Sequence, residues 1–309
     1  MRLAVLADVH SNLPALQAVL ADLQRRNVDG IVVAGDLVGG APQVVETVRL
    51  LRSCGSWMIR GNNDNYFVAY QAGDVPDGWR VSRQWAAMRW SYRQLDRQTL
   101  DFMASLPEGH TVDLPGAAPI RVVHGSPRVS SESLVPDRDP VSLRLFKKAG
   151  LLASDRDPAA LDLALAQVRE PVLVCGHTHI PWQQERDGRL ALNPGSVGAP
   201  INGDPRAQYA LLTWEGHRWQ AEHRAVAYDL DPVRAAFCAS GLLEEGGGFA
   251  RACLLCIETG HNFPGHLVSY AHRLAAQAGF EGCEVVPDAI WEQAVTTFDW
   301  DGATGGRDK

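Results

Sequence analysis

Leu3-Ala4-Val5-Leu6-Ala7-Asp8-Val9-His10 begins as an uninterrupted apolar run and ends on an aspartate and a histidine two positions apart. A run of that kind reads as a strand covered on both faces. Polar side chains just past such strands lie where ligand sites gather in α/β proteins. The arrangement recurs further along: Ile31 to Ala34 precedes Gly35-Asp36, and Trp57 to Ile59 precedes Gly61-Asn62-Asn63-Asp64. Ile120 to Val123 precedes His124-Gly125, and Val172 to Cys175 precedes Gly176-His177-Thr178-His179. A single Asp-x-His or His-x-His block carries little weight, because a lone histidine at a strand end is commonly hydrogen-bonded scaffold. A whole series of them, each following a strand, points to one converging site. Within the last block, strand alternation aims His177 and His179 to the same face, and Gly176 leaves room for close approach.

Outward from these blocks, Leu13, Leu16, Val19, Leu20 and Leu23 recur at helical spacing over residues 13 to 26, as do Val44, Val48 and Leu51 over 43 to 52. The opening is therefore βαβαβ with right-handed crossovers. Residues 65 to 106 break that rhythm and read as a helical insertion. Its aromatics, Trp79, Trp85 and Trp90 among them, read as packing, though the position just after the Asn62 block could bring one tryptophan near the site. From Pro171 the texture turns to β, with Leu190 to Leu192, Tyr209 to Trp214 and Trp219 to Arg224 expected to join Val172 to Cys175 in a second sheet. Residues 228 to 309 read as a separate, mainly helical extension serving as lid or dimer contact, with Gly246-Gly247-Gly248 as the linker candidate.

The 309 residues suffice for one large α/β domain plus an appendage. A net charge of -7 and a pI near 5.8 argue against an extended nucleic-acid surface. No apolar run reaches the length of a membrane span, and Asp8 lies too close to Met1 for a cleavable signal peptide. Six cysteines without framework spacing suggest reduced thiols and a cytoplasmic location. Cys253-Leu254-Leu255-Cys256 matches CxxC, but no second pair follows, so it reads as buried thiols.

In these blocks, together with His124-Gly125-Ser126-Pro127 and Asn193-Pro194-Gly195-Ser196-Val197-Gly198, the chain resembles the calcineurin-like metallophosphoesterases, and bacterial and archaeal members in particular. The resemblance covers roughly residues 1 to 226. It implies an α/β fold: a four-layer αββα sandwich of two mixed sheets flanked by helices, with the catalytic domain spanning residues 1 to 227. It further implies two divalent transition-metal ions, manganese first, with iron, zinc, nickel or cobalt as alternatives. Asp8, His10, Asp36 and His179 would hold one ion, and Asp36, Asn62, His124 and His177 the other, with Asp36 bridging. Ions about 3.5 to 4 Å apart can share a hydroxide that attacks phosphorus. Ser126 and Ser196 have no nucleophile context, and His110, His217 and His223 read as surface or scaffold.

Arg60 stands where related phosphatases place a phosphate-binding arginine, and Asn12 and Asn62 are further candidate substrate contacts, with Asn12 equally able to cap a turn. Arg128 is a weaker candidate clamp. At Asn63 the chain departs from the family, most of which carries a histidine there to protonate the leaving group, oriented by the acid at the Asp64 position. An amide cannot deliver a proton at neutral pH. General acid catalysis is worth roughly 100 to 10,000-fold, so its loss penalises basic leaving groups and favours a phosphodiesterase over a phosphomonoesterase for proteins or nucleotides. His261, His266 and His272 could substitute if the tail folds over the site; helix-turn scaffold is their plainer role. The expected substrate is a small phosphate ester or nucleotide-type molecule, with no membrane partner and with homo-oligomerisation left open. A weakly catalytic metal-binding scaffold is the reading from a different class.

Overall fold

The computed structural model describes residues 1–137, 140–151 and 160–302; the last part of the expected extension, 303–309, lies outside them. The chain opens with β1 (Arg2–Leu6), α1 (Leu13–Leu23), β2 (Gly30–Val33), α2 (Val44–Ser53) and β3 (Trp57–Met58). The helices α3 (Asn62–Ala72), α4 (Asp77–Val81), α5 (Ala86–Gln94) and α6 (Arg97–Ser105) follow. Next come β4 (Gly109–Val112), β5 (Ile120–Val123), α7 (Pro140–Lys148), α8 (Ala160–Ala166) and β6 (Val172–Val174). After β7 (Trp182–Arg186), β8 (Arg189–Asn193), β9 (Ala207–Trp214) and β10 (Trp219–Val226), the chain ends in α9 (Asp231–Ala239), α10 (Leu242–Thr259), α11 (Phe263–Gln277) and α12 (Asp288–Thr297).

Two five-stranded mixed sheets result, ordered β10-β9-β1-β2-β3 and β4-β5-β6-β8-β7. Strand alternation explains the layering. In and just past β1, Leu3, Val5 and Ala7 enter a core shared with Val122, Val172, Val174 and Leu192 of the other sheet, while Ala4 and Leu6 turn to the helices around Leu16, Val48 and Phe67. Val172 and Val174 of β6 face the same inter-sheet core, whereas Leu173 and Cys175 pack on Phe146 and Leu165 of α7 and α8. Helix, sheet, sheet, helix is the outcome, as the apolar runs and the resemblance lead one to expect.

Three expectations need correction. The strands β9 and β10 do not join the second sheet: β9 runs antiparallel to β1, with Val5 opposite Ala210, and β10 pairs with β9. A strand's own pattern says which faces are buried and nothing about its partner. The second sheet takes β4 and β7 as its edges instead. In β7, Trp-Gln-Gln-Glu-Arg buries a glutamine, Gln184, whose Nε2 donates a hydrogen bond to Asp137 Oδ1, so its alternation is masked in the sequence. Finally, the C-terminal helices are separate only in part: Phe263, Leu267 and Ala271 of α11 pack with Trp291 and Ala294 of α12 in a core of their own, whereas α9 and α10 join the sandwich. Val233, Phe237, Ala250, Cys253 and Ile257 belong to the same core as Leu6 and Leu16. Gly246-Gly247-Gly248 is no linker but lies within α10, where Gly247 at φ 55°, ψ −133° kinks the helix. Among the described residues, no helix is long and apolar enough to cross a membrane.

Candidate metal centre

The ends of β1, β2, β3, β5 and β6 meet at one place. Asp8, His10, Asp36, His177 and His179 all have left-handed backbones, with φ between 48° and 66°. Non-glycine residues rarely adopt this conformation unless the surroundings impose it, and here it turns each side chain back over the strand ends. Close approach also depends on glycine: a Cβ on Gly61 would fall 2.1 Å from Asp36 Oδ1.

Asp8, His10, Asp36 and His179 offer ligand atoms within 4.8 Å of one another. His10 Nε2 lies 3.0 Å from His179 Nε2 and 3.5 Å from Asp36 Oδ2, and His179 Nε2 lies 3.3 Å from Asp8 Oδ1. A second set adjoins it. Asn62 Oδ1 is 3.0 Å from His124 Nε2 and 2.9 Å from His177 Nδ1, and His124 Nε2 is 3.3 Å from Asp36 Oδ1. Asp36 thus touches both groups, as a bridging ligand must.

The far nitrogens of the rings decide what the near ones can do. His124 Nδ1–H donates to the Ala34 carbonyl at 2.7 Å, His10 Nδ1–H to Gly39 at 3.1 Å and His179 Nδ1–H to Ala199 at 2.5 Å. Those bonds fix the tautomers, so in neutral rings every Nε2 presents a lone pair to the centre. The lone pairs of His10 and His179 then face one another, and that of His124 faces the Asn62 oxygen. Either a proton or a cation must sit between such acceptors. This donor set of imidazole, carboxylate and amide oxygen fits a pair of divalent transition metals. In the absence of metal, burial lowers the affinity of His10 and His177 for protons. Burial disfavours the charged form of His124 too, but the Asp36 and Asp8 carboxylates outweigh it and raise its pKa.

The surrounding shell is built from backbone and amide contacts. Asn63 donates its backbone N–H to Asp36 Oδ1 at 2.8 Å and its side-chain Nδ2 to Oδ2 at 2.7 Å, at the N-terminus of α3. Asp64 does not reach the cavity. It accepts from the amides of Leu37, Val38 and Gly61 and so ties two ligand loops together; burial and then the Asp36 charge push its pKa up. In the 193–198 loop, Ser196 Oγ donates to the Asp8 carbonyl at 2.7 Å and Asn193 Nδ2 to the Gly176 carbonyl.

The candidate substrate contacts fare differently. Arg60 turns to the Ala104 carbonyl and Glu108 and does not line the cavity. Asn12 caps α1 by accepting from Ala15 N–H and donates to Gly198 and Tyr228, buried from ligand. Arg128 pairs with Glu132. The tail does fold over the site: Asn262, Pro264 and Gly265 line the cavity, together with Phe249, Cys253, Cys256 and Ile257 of α10. The histidines His261, His266 and His272 do not. Burial pushes the Cys253 thiol up to about 12 and raises that of Cys256 as well, so both stay protonated. Sequence reasoning missed Phe249 and Ile257, whose apolar spacing looks like that of any core helix.

The resulting cavity has a volume of about 320 Å³, with an apolar roof over a polar floor. Among the described residues, no lysine or arginine lines it.

The model of the calcineurin-like phosphoesterase superfamily domain matches residues 1–217. Uncharacterized protein MJ0912 of Methanocaldococcus jannaschii is 28% identical over 246 residues, covering 74% of this chain and 88% of that protein. Phosphodiesterase YfcE of Escherichia coli strain K12 is 24% identical over 213 residues, 69% of this chain and 87% of that one. The crystal structure of a metallophosphoesterase from Sphaerobacter thermophilus superposes with a TM-score of 0.63 and 27% identity, over 84% of this chain and 99% of its own. Ligand blocks, layered fold and these matches agree, and the chain belongs to the calcineurin-like phosphoesterase superfamily.

Proposed function

We propose that the protein is a dinuclear-metal-dependent phosphodiesterase that hydrolyses a small phosphate ester in the cytoplasm. The observation that carries this reading is the convergence of His10, His124 and His179, each locked by a backbone carbonyl to aim Nε2 inward, on the carboxylates of Asp8 and Asp36. Asp8, His10, Asp36 and His179 would hold one ion and Asp36, Asn62, His124 and His177 the other, with manganese, iron, zinc, nickel or cobalt suited to the donor set. Bound ions would supply an activated water near neutral pH and offset charge developing on phosphorus. Asn63 holds the shared Asp36 carboxylate in place through two hydrogen bonds.

Two features favour a diester over a monoester. No cationic side chain among the described residues faces the cavity to balance the second charge of a monoester. Nor, among the described residues, does a group outside the proposed ligand set titrate near neutral pH to protonate a basic leaving group, since Asn63 and Asn262 are amides and burial pushes the Cys253 thiol up to about 12. The relative named phosphodiesterase YfcE is consistent with this choice. The roof also restricts access to small molecules.

The test is turnover of an aryl phosphodiester against the matching monoester after loading with manganese, nickel, zinc or magnesium, with Asp36→Asn as control. Diester preference that disappears in the control is expected. Monoester preference would overturn the diester assignment, and absence of turnover with every metal would overturn the enzyme.

A further inference from the structure

A second cavity of about 280 Å³ adjoins the first. Gly39, Gly40, Asn63 and Phe249 line both, so the two spaces meet across the Asn63 side chain. Beyond that boundary the walls change character. Tyr66, Trp85 and Met88 supply aromatic and polarisable surface, Gln84 and Ser91 supply polar groups, and no charged side chain takes part among the described residues.

The aromatic wall is rigid before any ligand arrives. Trp85 stacks on Trp79 at 3.7 Å between centroids and 16° between planes, and Tyr66 stands edge-on to both. Side chains fixed in this way lose little further freedom when another ring packs on them. One donor on this wall has nothing among the described residues to receive it. Gln84 commits its Oε1 to the Val286 amide at 2.8 Å, leaving its Nε2 hydrogens for a ligand.

We propose that this cavity receives the heteroaromatic base of a nucleoside carried by the substrate, so that the substrate is a nucleoside phosphodiester. The base would pack against Trp85, Tyr66 and Met88, while a ring acceptor takes the Gln84 Nε2 donor. Stacking on aromatic side chains tolerates any base, and the unpaired Gln84 donor discriminates against a plain arene, which would leave it unsatisfied. Phe249, shared by both cavities, packs between base and phosphate. The inference rests on the phosphodiesterase reading for the phosphate; base binding itself requires neither metal nor phosphate.

The experiment has two arms. Adenosine, guanosine, cytidine and uridine are titrated into the metal-free full chain by calorimetry, with ribose as control. At least one nucleoside should bind saturably and ribose should not. That binding should weaken about tenfold or more, the scale of a lost stacking contact, in Trp85→Ala and in Met88→Trp, which fills the cavity from a half-buried position. Circular dichroism verifies folding, and Met88→Trp decides if Trp85→Ala does not fold. In the second arm the metal-loaded protein is given a nucleoside p-nitrophenyl phosphodiester and methyl p-nitrophenyl phosphate. The ratio of their kcat/KM values should favour the nucleoside ester and collapse in both variants. Turnover of both esters without nucleoside binding, or binding unaltered in both variants, overturns the subsite and leaves the phosphodiesterase standing. Nucleoside binding lost in the variants, with neither ester hydrolysed, upholds the subsite and overturns the phosphodiesterase.

Discussion

Asn63 combines two tasks that pull in different directions. Its amide holds Asp36 through Nδ2 at 2.7 Å, and its side chain forms the boundary between the two cavities. A histidine there would place a titratable group where most of the family carries one, at the expense of that hydrogen bond. Asn63→His should therefore raise turnover of esters with basic leaving groups about tenfold or more, while leaving aryl esters with acidic leaving groups little faster. A series of aryl phosphates of graded leaving-group pKa measures this as a shallower dependence of kcat on leaving-group pKa. An unchanged slope would show that Asn63 does not occupy the position of a proton donor. Arg60 marks the limit of reasoning from single residues. Its neighbours Gly61 and Asn62 enter the site, but Arg60 N–H is drawn to the Pro107 carbonyl and its guanidinium follows toward Glu108.

The helices are anchored to the sheets by buried polar contacts as well as by apolar faces. On α1, Asp22 is 5% exposed and accepts from Tyr209 Oη of β9 at 2.6 Å, with Arg25 and Arg26 on its other lone pairs. Burial alone would raise its pKa, but the hydrogen bonds from Tyr209, Arg26 and Arg25 outweigh it and hold the carboxyl at about 2. The folded-state pKa lies below the unfolded one, so the stabilisation is complete above about pH 4 and is lost as pH falls through about 2. Asp22→Asn should cost about 2 kcal/mol at neutral pH. In urea titrations the gap between wild type and variant should close between about pH 4 and pH 2; a gap independent of pH would rule this linkage out. On α10 the same logic of context applies to glycine. A triple glycine has the composition of a linker, yet Gly246 sits against Ala87 and Gly248 against Val295, contacts that a Cβ would crowd.

Across the protein, five of the proposed ligand residues in left-handed conformations mean that the fold holds strain at its centre, about 1 kcal/mol or more for each residue so constrained. Ions that bind the folded chain and not the unfolded one offset this. At a free-metal concentration 100 times Kd the stabilisation is about 2.7 kcal/mol per site, equivalent to several degrees in Tm for a domain of this size. Chelation should lower the midpoint by that amount, and readdition of manganese or zinc should restore it in wild type but not in Asp36→Asn. A midpoint indifferent to chelator would mean that ions do not select the folded state. Because α9 and α10 share the core of the first sheet, the roof should melt with the sandwich in a single transition.

The strands and the residues proposed as metal ligands are legible in the amino-acid sequence itself, because both signals are local. An apolar run records burial on two faces, and each ligand lies within a few residues of the strand end that aims it. The cap role of Asn12 is half legible, since capping and phosphate binding use the same amide. The partner of β9, the closure of α10 over the candidate metal centre, the direction of Arg60 and the second cavity beside Asn63 arise from contacts between residues far apart in the chain. Helical spacing in Phe249, Cys253 and Ile257 says that a face is buried. Only long-range packing makes that face the roof of the candidate metal centre, because many surfaces could cover the same apolar stripe and the folded chain selects the one that fills its space best.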